Sequence, residues 1–161
     1  MYQHILVPVD GSPTSRQGLA EAIRLAKLTG GRLRLVHVVD ELSVAMAMGF
    51  STGYVGDWFE QLRALGRSLL DEAEAEVRKA GIEVDTVLHD GFATPVYELL
   101  AADAKEWPAD LIVVGTHGRR GMQRMVIGST AEQLARQAPV PLLLVRASDA
   151  AAAEAAAPKA A

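Results

Sequence analysis

The sequence predicts an α/β fold: a doubly wound, five-stranded parallel sheet with helices on both faces. Five short runs rich in Val, Ile and Leu alternate with segments whose apolar residues recur at helical spacing. Strict alternation of this kind produces parallel strands that are joined by right-handed crossovers. Half of the 161 residues are apolar, which is enough to build the core of one domain.

The five predicted strands are short and apolar, as buried strands are. They cover residues 5–9, 33–39, 84–88, 111–114 and 140–145. The fourth run contains only apolar residues, which is typical of a parallel strand covered on both faces.

Proline and glycine mark the ends of the predicted helices. Ser12 before Pro13 is an N-cap followed by proline at the first helical position, and Gly30 ends that helix. The other three helices are predicted from Trp58 up to the glycine at position 81, from Thr94-Pro95 onward, and over residues 129–138.

Two segments interrupt this pattern. Residues 42–57 are rich in Met and Gly without a clear period, and we expect a mobile loop there. Residues 147–161 are Ala-rich and contain too few large apolar side chains to pack, so we expect a disordered tail. The sequence therefore predicts one domain over residues 1–146.

Composition excludes several classes of protein. The chain has no cysteine, which removes disulfide and thiolate chemistry and favours a reducing cytoplasm. No basic segment precedes its first apolar run, and no apolar stretch reaches the roughly 20 residues of a membrane span. A net charge of -4 without a Lys/Arg block argues against a nucleic-acid polymer as partner. We expect a soluble protein that contacts neither membrane nor nucleic acid.

A glycine-rich segment, GTHGRRGMQRMVIGST, follows the fourth predicted strand and runs into a helix. Backbone N–H groups can approach a polyphosphate closely where side chains lack a Cβ, and Gly115, Gly118 and Gly128 provide such positions. The helix start at Ser129 adds unpaired N–H groups and a positive dipole end, and Thr130 adds a second hydroxyl. The same residues also fit a capping box from Ser129 to Glu132, which would be purely structural.

The spacing Gly-x2-Gly-x9-Gly-Ser resembles the nucleotide-binding signature of ATP-binding universal stress proteins. Residues 7–12 (VPVDGS) and 37–40 (HVVD) also resemble that family, and the match spans residues 2–146. The resemblance implies the strand order 3-2-1-4-5, with adenine between the ends of the first two strands and phosphates over the glycine loop.

The resemblance also implies a set of ATP contacts. The adenine contacts would be Pro8, Val9 and Val38; the ribose contacts Val114 and Gly115; and the phosphate contacts Gly118, Arg119, Gly128, Ser129 and Thr130. Asp10 would face the ribose and phosphates, through Mg²⁺ or Mn²⁺. Each valine also fits plain core packing, and Asp10 before Gly11 also fits a stabilised turn.

Three functions are compatible with the sequence. The leading hypothesis is a binding module in which ATP changes the shape or partners of a dimer, and we predict no catalytic residue because no general base is placed. The second is a slow nucleotide hydrolase or adenylyl-transferring enzyme with Asp10 on Mg²⁺ and His117 near the phosphates. The third is a nucleotide-independent dimeric scaffold, and the intact glycine spacing argues against it.

The strand order implied by the resemblance leaves the fifth strand at a sheet edge. An apolar edge exposes backbone groups that a second chain can pair with, so we expect a homodimer through residues 140–145. Pro139 and Pro141 cannot donate to a ladder, which leaves residues 142–145 to pair.

Two further patterns do not indicate function. Residues 49–53 (GFSTG) match the G-x-S-x-G nucleophile elbow, but neither a strand before the serine nor a helix after it is predicted. The four histidines are isolated in sequence, so strand-end packing or loop hydrogen bonds explain them better than metal ligation.

Overall fold

The computed structural model describes residues 1–39, 55–90, 94–116 and 127–146. Its strands are β1 (His4–Pro8), β2 (Arg32–Val39), β3 (Val84–Asp90), β4 (Leu111–Gly115) and β5 (Leu142–Val145). They form one sheet in the order β3-β2-β1-β4-β5, and every neighbouring pair is parallel. The predicted fold class and strand order are confirmed.

Four helices occur in the described part of the chain. They are α1 (Pro13–Thr29), α2 (Val55–Lys79), α3 (Val96–Glu106) and α4 (Ser129–Gln137). None of these four is long and apolar enough to cross a bilayer.

The helices are divided between the two faces of the sheet. One core cluster joins Ile5 and Leu33 of the strands to Leu19 of α1 and Val77 of α2. Side chains alternate between the faces along a strand, so the neighbouring Leu6 lies in a second cluster. That second cluster contains apolar residues of α3 and α4. The sheet is therefore doubly wound, as predicted.

Helix α1 begins and ends where the sequence predicts. The Ser15 backbone N–H donates to Oγ of Ser12 at 3.1 Å, and Gly30 ends the helix with φ 69°. Helix α2, in contrast, begins at Val55, inside the segment predicted as a loop over 42–57. Extending an existing helix adds one hydrogen bond for each residue fixed, which outweighs the weak helix propensity of the glycine at position 56. Residues 40–54 and 147–161 lie outside the described residues.

Several other boundaries differ from the prediction by one or two residues. Strand β1 begins and ends one residue earlier, at His4 and Pro8, and β3 continues to Asp90. Helix α3 begins at Val96 with Pro95 as its N-cap.

Strand β5 begins at Leu142 rather than at residue 140. Pro141 has no N–H to donate, and its carbonyl accepts from the Ile112 N–H at 3.0 Å. The proline therefore sets the start of the β4–β5 ladder.

Candidate functional site

The carboxyl ends of β1 and β4 lie side by side in the sheet. Helix α1 follows β1 onto one face, whereas α4 follows β4 onto the other. The chain thus leaves the two strand ends in opposite directions, and in α/β folds ligands bind in the crevice that this arrangement creates. Pro8 ends β1 and Gly115 ends β4, so both of these predicted site residues border the crevice.

A hydrogen-bonded turn connects β1 to α1 at the crevice. Oδ1 of Asp10 accepts from the Ser12 N–H at 2.8 Å. Oγ of Ser15 accepts from the Asp10 N–H at 3.1 Å and donates to the Pro8 carbonyl at 3.3 Å. Gly11 takes φ 79° within this turn, a value that favours glycine. Asp10 therefore stabilises the turn.

The end of β4 packs directly on the first turn of α1. A Cβ on Gly115 would lie 2.7 Å from the carbonyl carbon and oxygen of Thr14 and 3.0 Å from the Ser15 nitrogen. Glycine is therefore required at position 115 by helix packing, a requirement separate from the predicted contact with the ribose. Gly18, one turn further along α1, lies in ordinary contact, with its ideal Cβ 3.4 Å from the Gly115 nitrogen.

Replacing Gly115 with alanine is expected to destabilise the fold by about 2 kcal/mol, because the added methyl group meets backbone that cannot move aside. Gly18→Ala is the matched control. The contact there is looser, and removing a glycine from a helix interior stabilises by about 0.5–1 kcal/mol. Urea unfolding of both variants measures the difference, and equal stability of the two variants would contradict the packing argument.

The two ends of the glycine-rich segment meet. The Gly128 N–H donates to the Thr116 carbonyl at 2.7 Å, and the Thr116 N–H donates to the Val145 carbonyl at 2.9 Å. Thr116 is 5% exposed. The two ends of the segment therefore lie together, beside the ends of β4 and β5. The sequence carries no residue-type signal for Thr116, because these two bonds use its backbone. Residues 117–126, which include the predicted Gly118 and Arg119, lie outside the described residues.

Gly128 is the N-cap of α4. It is extended, with φ -62° and ψ 149°, and no side chain caps the helix. The interpretation as a capping box is therefore wrong: Ser129 is the first helical residue, and Glu132 pairs with Arg136 at 3.0 Å rather than reaching back. Ser129 is exposed and Thr130 is half-buried. The first-turn N–H groups of α4 and the positive end of its dipole lie at the carboxyl edge of the sheet.

The predicted adenine and ribose contacts divide into core and edge residues. Val9 and Val114 are 5% and 7% exposed and belong to the two core clusters. Their side chains are plain core, so only their backbone can face a ligand. Pro8 and Val38 are half-buried.

The backbone of Val38 faces the crevice. The Val36 carbonyl accepts from the Val9 N–H at 2.8 Å, so the backbone groups of Val36 point towards β1. Those of Val38, two residues further, point the same way. The β1–β2 register ends with Pro8 opposite Val36. The N–H and C=O of Val38 therefore lie beyond the end of β1.

The universal stress protein family model matches residues 1–146. The chain belongs to this family. Universal stress protein YxiE of Bacillus subtilis (strain 168) is 30% identical over 151 residues, which cover 91% of this chain and 100% of that relative.

Solved structures agree with this assignment. A universal stress protein family member from Burkholderia pseudomallei has 35% identity and a TM-score of 0.71 over 89% of this chain and 96% of that one. The universal stress protein from Archaeoglobus fulgidus in complex with dAMP has 25% identity and a TM-score of 0.62, over 89% of this chain and 98% of that one.

The histidines of this universal stress protein make packing and hydrogen-bond contacts where they are described. Nδ1 of His37 lies 2.6 Å from the Val9 carbonyl, the His4 ring lies 5.2 Å from that of Trp107, and His89 contacts Asp103. These agree with the prediction of structural roles. Within the described ranges, no three His, Cys, Asp or Glu side chains could together hold a metal ion. Residue 117 and the GFSTG motif at 49–53 lie outside those ranges.

Proposed function

We propose that this universal stress protein binds ATP in the crevice between β1 and β4 and acts as a nucleotide-dependent regulatory module of the stress response. The observation that carries the proposal is the 2.7 Å bond from the Gly128 N–H to the Thr116 carbonyl. It anchors the Gly-x2-Gly-x9-Gly-Ser segment at the start of α4, beside the end of β4.

The phosphates are proposed to bind where α4 begins. Unpaired backbone N–H groups and the positive dipole end of a helix favour anions, and the Ser129 and Thr130 hydroxyls add donors. We propose that the loop backbone at Gly118 and Gly128 approaches the phosphates and that Arg119 donates to their oxygens, since guanidinium matches phosphate geometry. An exposed Ser129 is consistent with a hydroxyl that a ligand can reach.

The base is proposed to lie beyond the end of β1. A backbone N–H and C=O of one residue offer a donor and an acceptor, which complement the ring nitrogen and amino group of adenine. Val38 presents such a pair on the β1 side, and Pro8 and the Val9 backbone border the same space. Val114 and Gly115, at the end of β4, are proposed to border the ribose.

The proposal is tested by denaturing purified protein, identifying any released nucleotide, and titrating the stripped protein with ATP, ADP and AMP by calorimetry. We expect ATP to bind with one site per chain. Incubation with Mg²⁺ then measures turnover, which we expect to be slow or absent. Failure of every adenine nucleotide to bind would overturn the proposal, and fast turnover would make the protein an enzyme.

A divalent cation, Mg²⁺ or Mn²⁺, is proposed to accompany the phosphates with Asp10 as its protein contact. One carboxylate fits a cation whose other ligands are phosphate oxygens and water, as is usual for Mg²⁺. It does not fit a cage built from protein side chains alone.

Asp10→Asn separates the charge of Asp10 from its turn bond. Asparagine keeps the side-chain oxygen that accepts from the Ser12 N–H, but it loses the negative charge. We expect Asp10→Asn to weaken Mg²⁺-dependent ATP binding about tenfold with an unchanged melting temperature, whereas Asp10→Ala also lowers the melting temperature. If Asp10→Asn binds ATP and Mg²⁺ like the parent, Asp10 serves the turn alone.

We also propose that two chains pair through β5 and that the protein works in the cytoplasm. Among the described strands β5 pairs only with β4, and all four of its residues are half-buried. A half-buried apolar edge strand is a ready template for pairing with a second copy.

A further inference from the structure

The ring of His37 connects the ends of β1 and β2 beneath the proposed adenine site. His37 is 4% exposed, and its Nδ1 lies 2.6 Å from the Val9 carbonyl oxygen. A carbonyl oxygen only accepts, so Nδ1 carries a proton and donates. Helix α2 holds the ring from the other side, because a Cβ on Gly66 would lie 2.7 Å from Cδ2 of His37.

The bond from His37 interrupts the ladder between β1 and β2. The last rung is the Val9 N–H to the Val36 carbonyl at 2.8 Å. In a regular parallel ladder, the next rung would join the Val38 N–H to the Val9 carbonyl. In the part of the chain described here, the Val9 carbonyl accepts from the His37 ring instead. The Val38 N–H points towards β1, makes no bond to the Val9 carbonyl in the described structure, and faces the crevice.

We infer that His37 is a positioning residue for recognition of the adenine base. By orienting the Val9 carbonyl towards its own ring, it keeps the Val38 N–H available to a ring nitrogen of the base, while the Val38 carbonyl accepts from the 6-amino group. The inference rests on the proposed binding of ATP and adds a preference for 6-aminopurines. Without the His37 donor, the Val9 carbonyl can pair with the Val38 N–H, which lengthens the ladder and closes this edge.

The test compares ATP with inosine triphosphate, which carries the same sugar and phosphates but has a carbonyl oxygen in place of the amino group. His37→Leu removes the donor, whereas His37→Asn places an amide N–H close to the position of Nδ1. We expect the ratio of ATP to inosine triphosphate affinity to fall about tenfold in His37→Leu, the equivalent of one hydrogen bond. His37→Asn should restore the ratio. A general loss of stability weakens the binding of both nucleotides alike and leaves the affinity ratio unchanged.

Gly66→Ala provides a second route to the same result if His37→Leu does not fold. The added methyl group pushes the ring away from its place while the imidazole remains, so we expect the same fall in the ratio. If the parent binds ATP but the ratio of ATP to inosine triphosphate affinity is unchanged in the folded variants, the inference about His37 is wrong and the proposed function still stands. If the parent binds no adenine nucleotide, the proposed function fails and the inference fails with it.

Discussion

Gly128→Val is expected to abolish ATP binding, with a loss of affinity of at least about a hundredfold. The valine side chain would occupy the space in which phosphate oxygens approach the N–H groups in the first turn of α4. Losing two hydrogen bonds to a charged group costs about 3 kcal/mol or more, which corresponds to that factor. Calorimetric titration of the variant and the parent with ATP and Mg²⁺ measures this loss of affinity.

The backbone angles make this variant interpretable. With φ -62° and ψ 149°, Gly128 occupies a region open to every residue type, so the variant should fold, at a helix-capping cost of about 1 kcal/mol. Ile127→Val, at the exposed neighbouring position, is the matched control and should bind ATP like the parent. Gly118→Val should resemble Gly128→Val. Parental ATP affinity in folded Gly128→Val would refute the phosphate site.

Leu144→Pro is expected to convert a homodimer into a monomer. The carbonyl of residue 141 accepts from Ile112 of β4 and that of residue 145 from Thr116, which directly follows β4. By alternation, the backbone groups of Leu143 also face β4. Those of Leu142 and Leu144 face outward, where a second β5 would pair. Proline at position 144 removes one outward donor and leaves the β4–β5 ladder intact.

Leu144→Ala is the control for this variant, because both changes remove the leucine side chain but alanine keeps the N–H. Sedimentation at micromolar concentration should show a monomer for the proline variant and a dimer for the alanine variant. Leu143 is a poorer choice, since it packs against the core cluster shared with α1. A monomeric parent, or a dimeric proline variant that remains folded, would contradict pairing through β5.

Much of the fold could be predicted from the sequence because each element carried local signals. The Ser12-Pro13 start and the Gly30 end of α1 are examples in which one residue type satisfies one backbone requirement. The start of α2 could not be predicted this way. Helix extension at Val55 depends on the turns that follow it rather than on its own residues.

The candidate site was predicted from a spacing of glycines, of which Gly118 lies outside the described residues, and its contacts could not be predicted. The close approach of Gly115 to Thr14 depends on where α1 lies against β4, and residues in the first turn of a helix carry no signal for a partner a hundred positions away. The ring of His37 posed the same difficulty: its Val9 partner lies on the neighbouring strand. Long-range packing decides such contacts, and a single sequence does not record it.

The bond between Gly128 and Thr116 also bears on how such a protein can diversify. The fold itself holds the two ends of the 117–126 segment together. Chain closure costs only about 0.6 kcal/mol for each doubling of length, so segments of other lengths and compositions can be exchanged at this point with little penalty to folding. Ligand preference can therefore evolve within the exchanged segment while the sheet and both cores stay as they are.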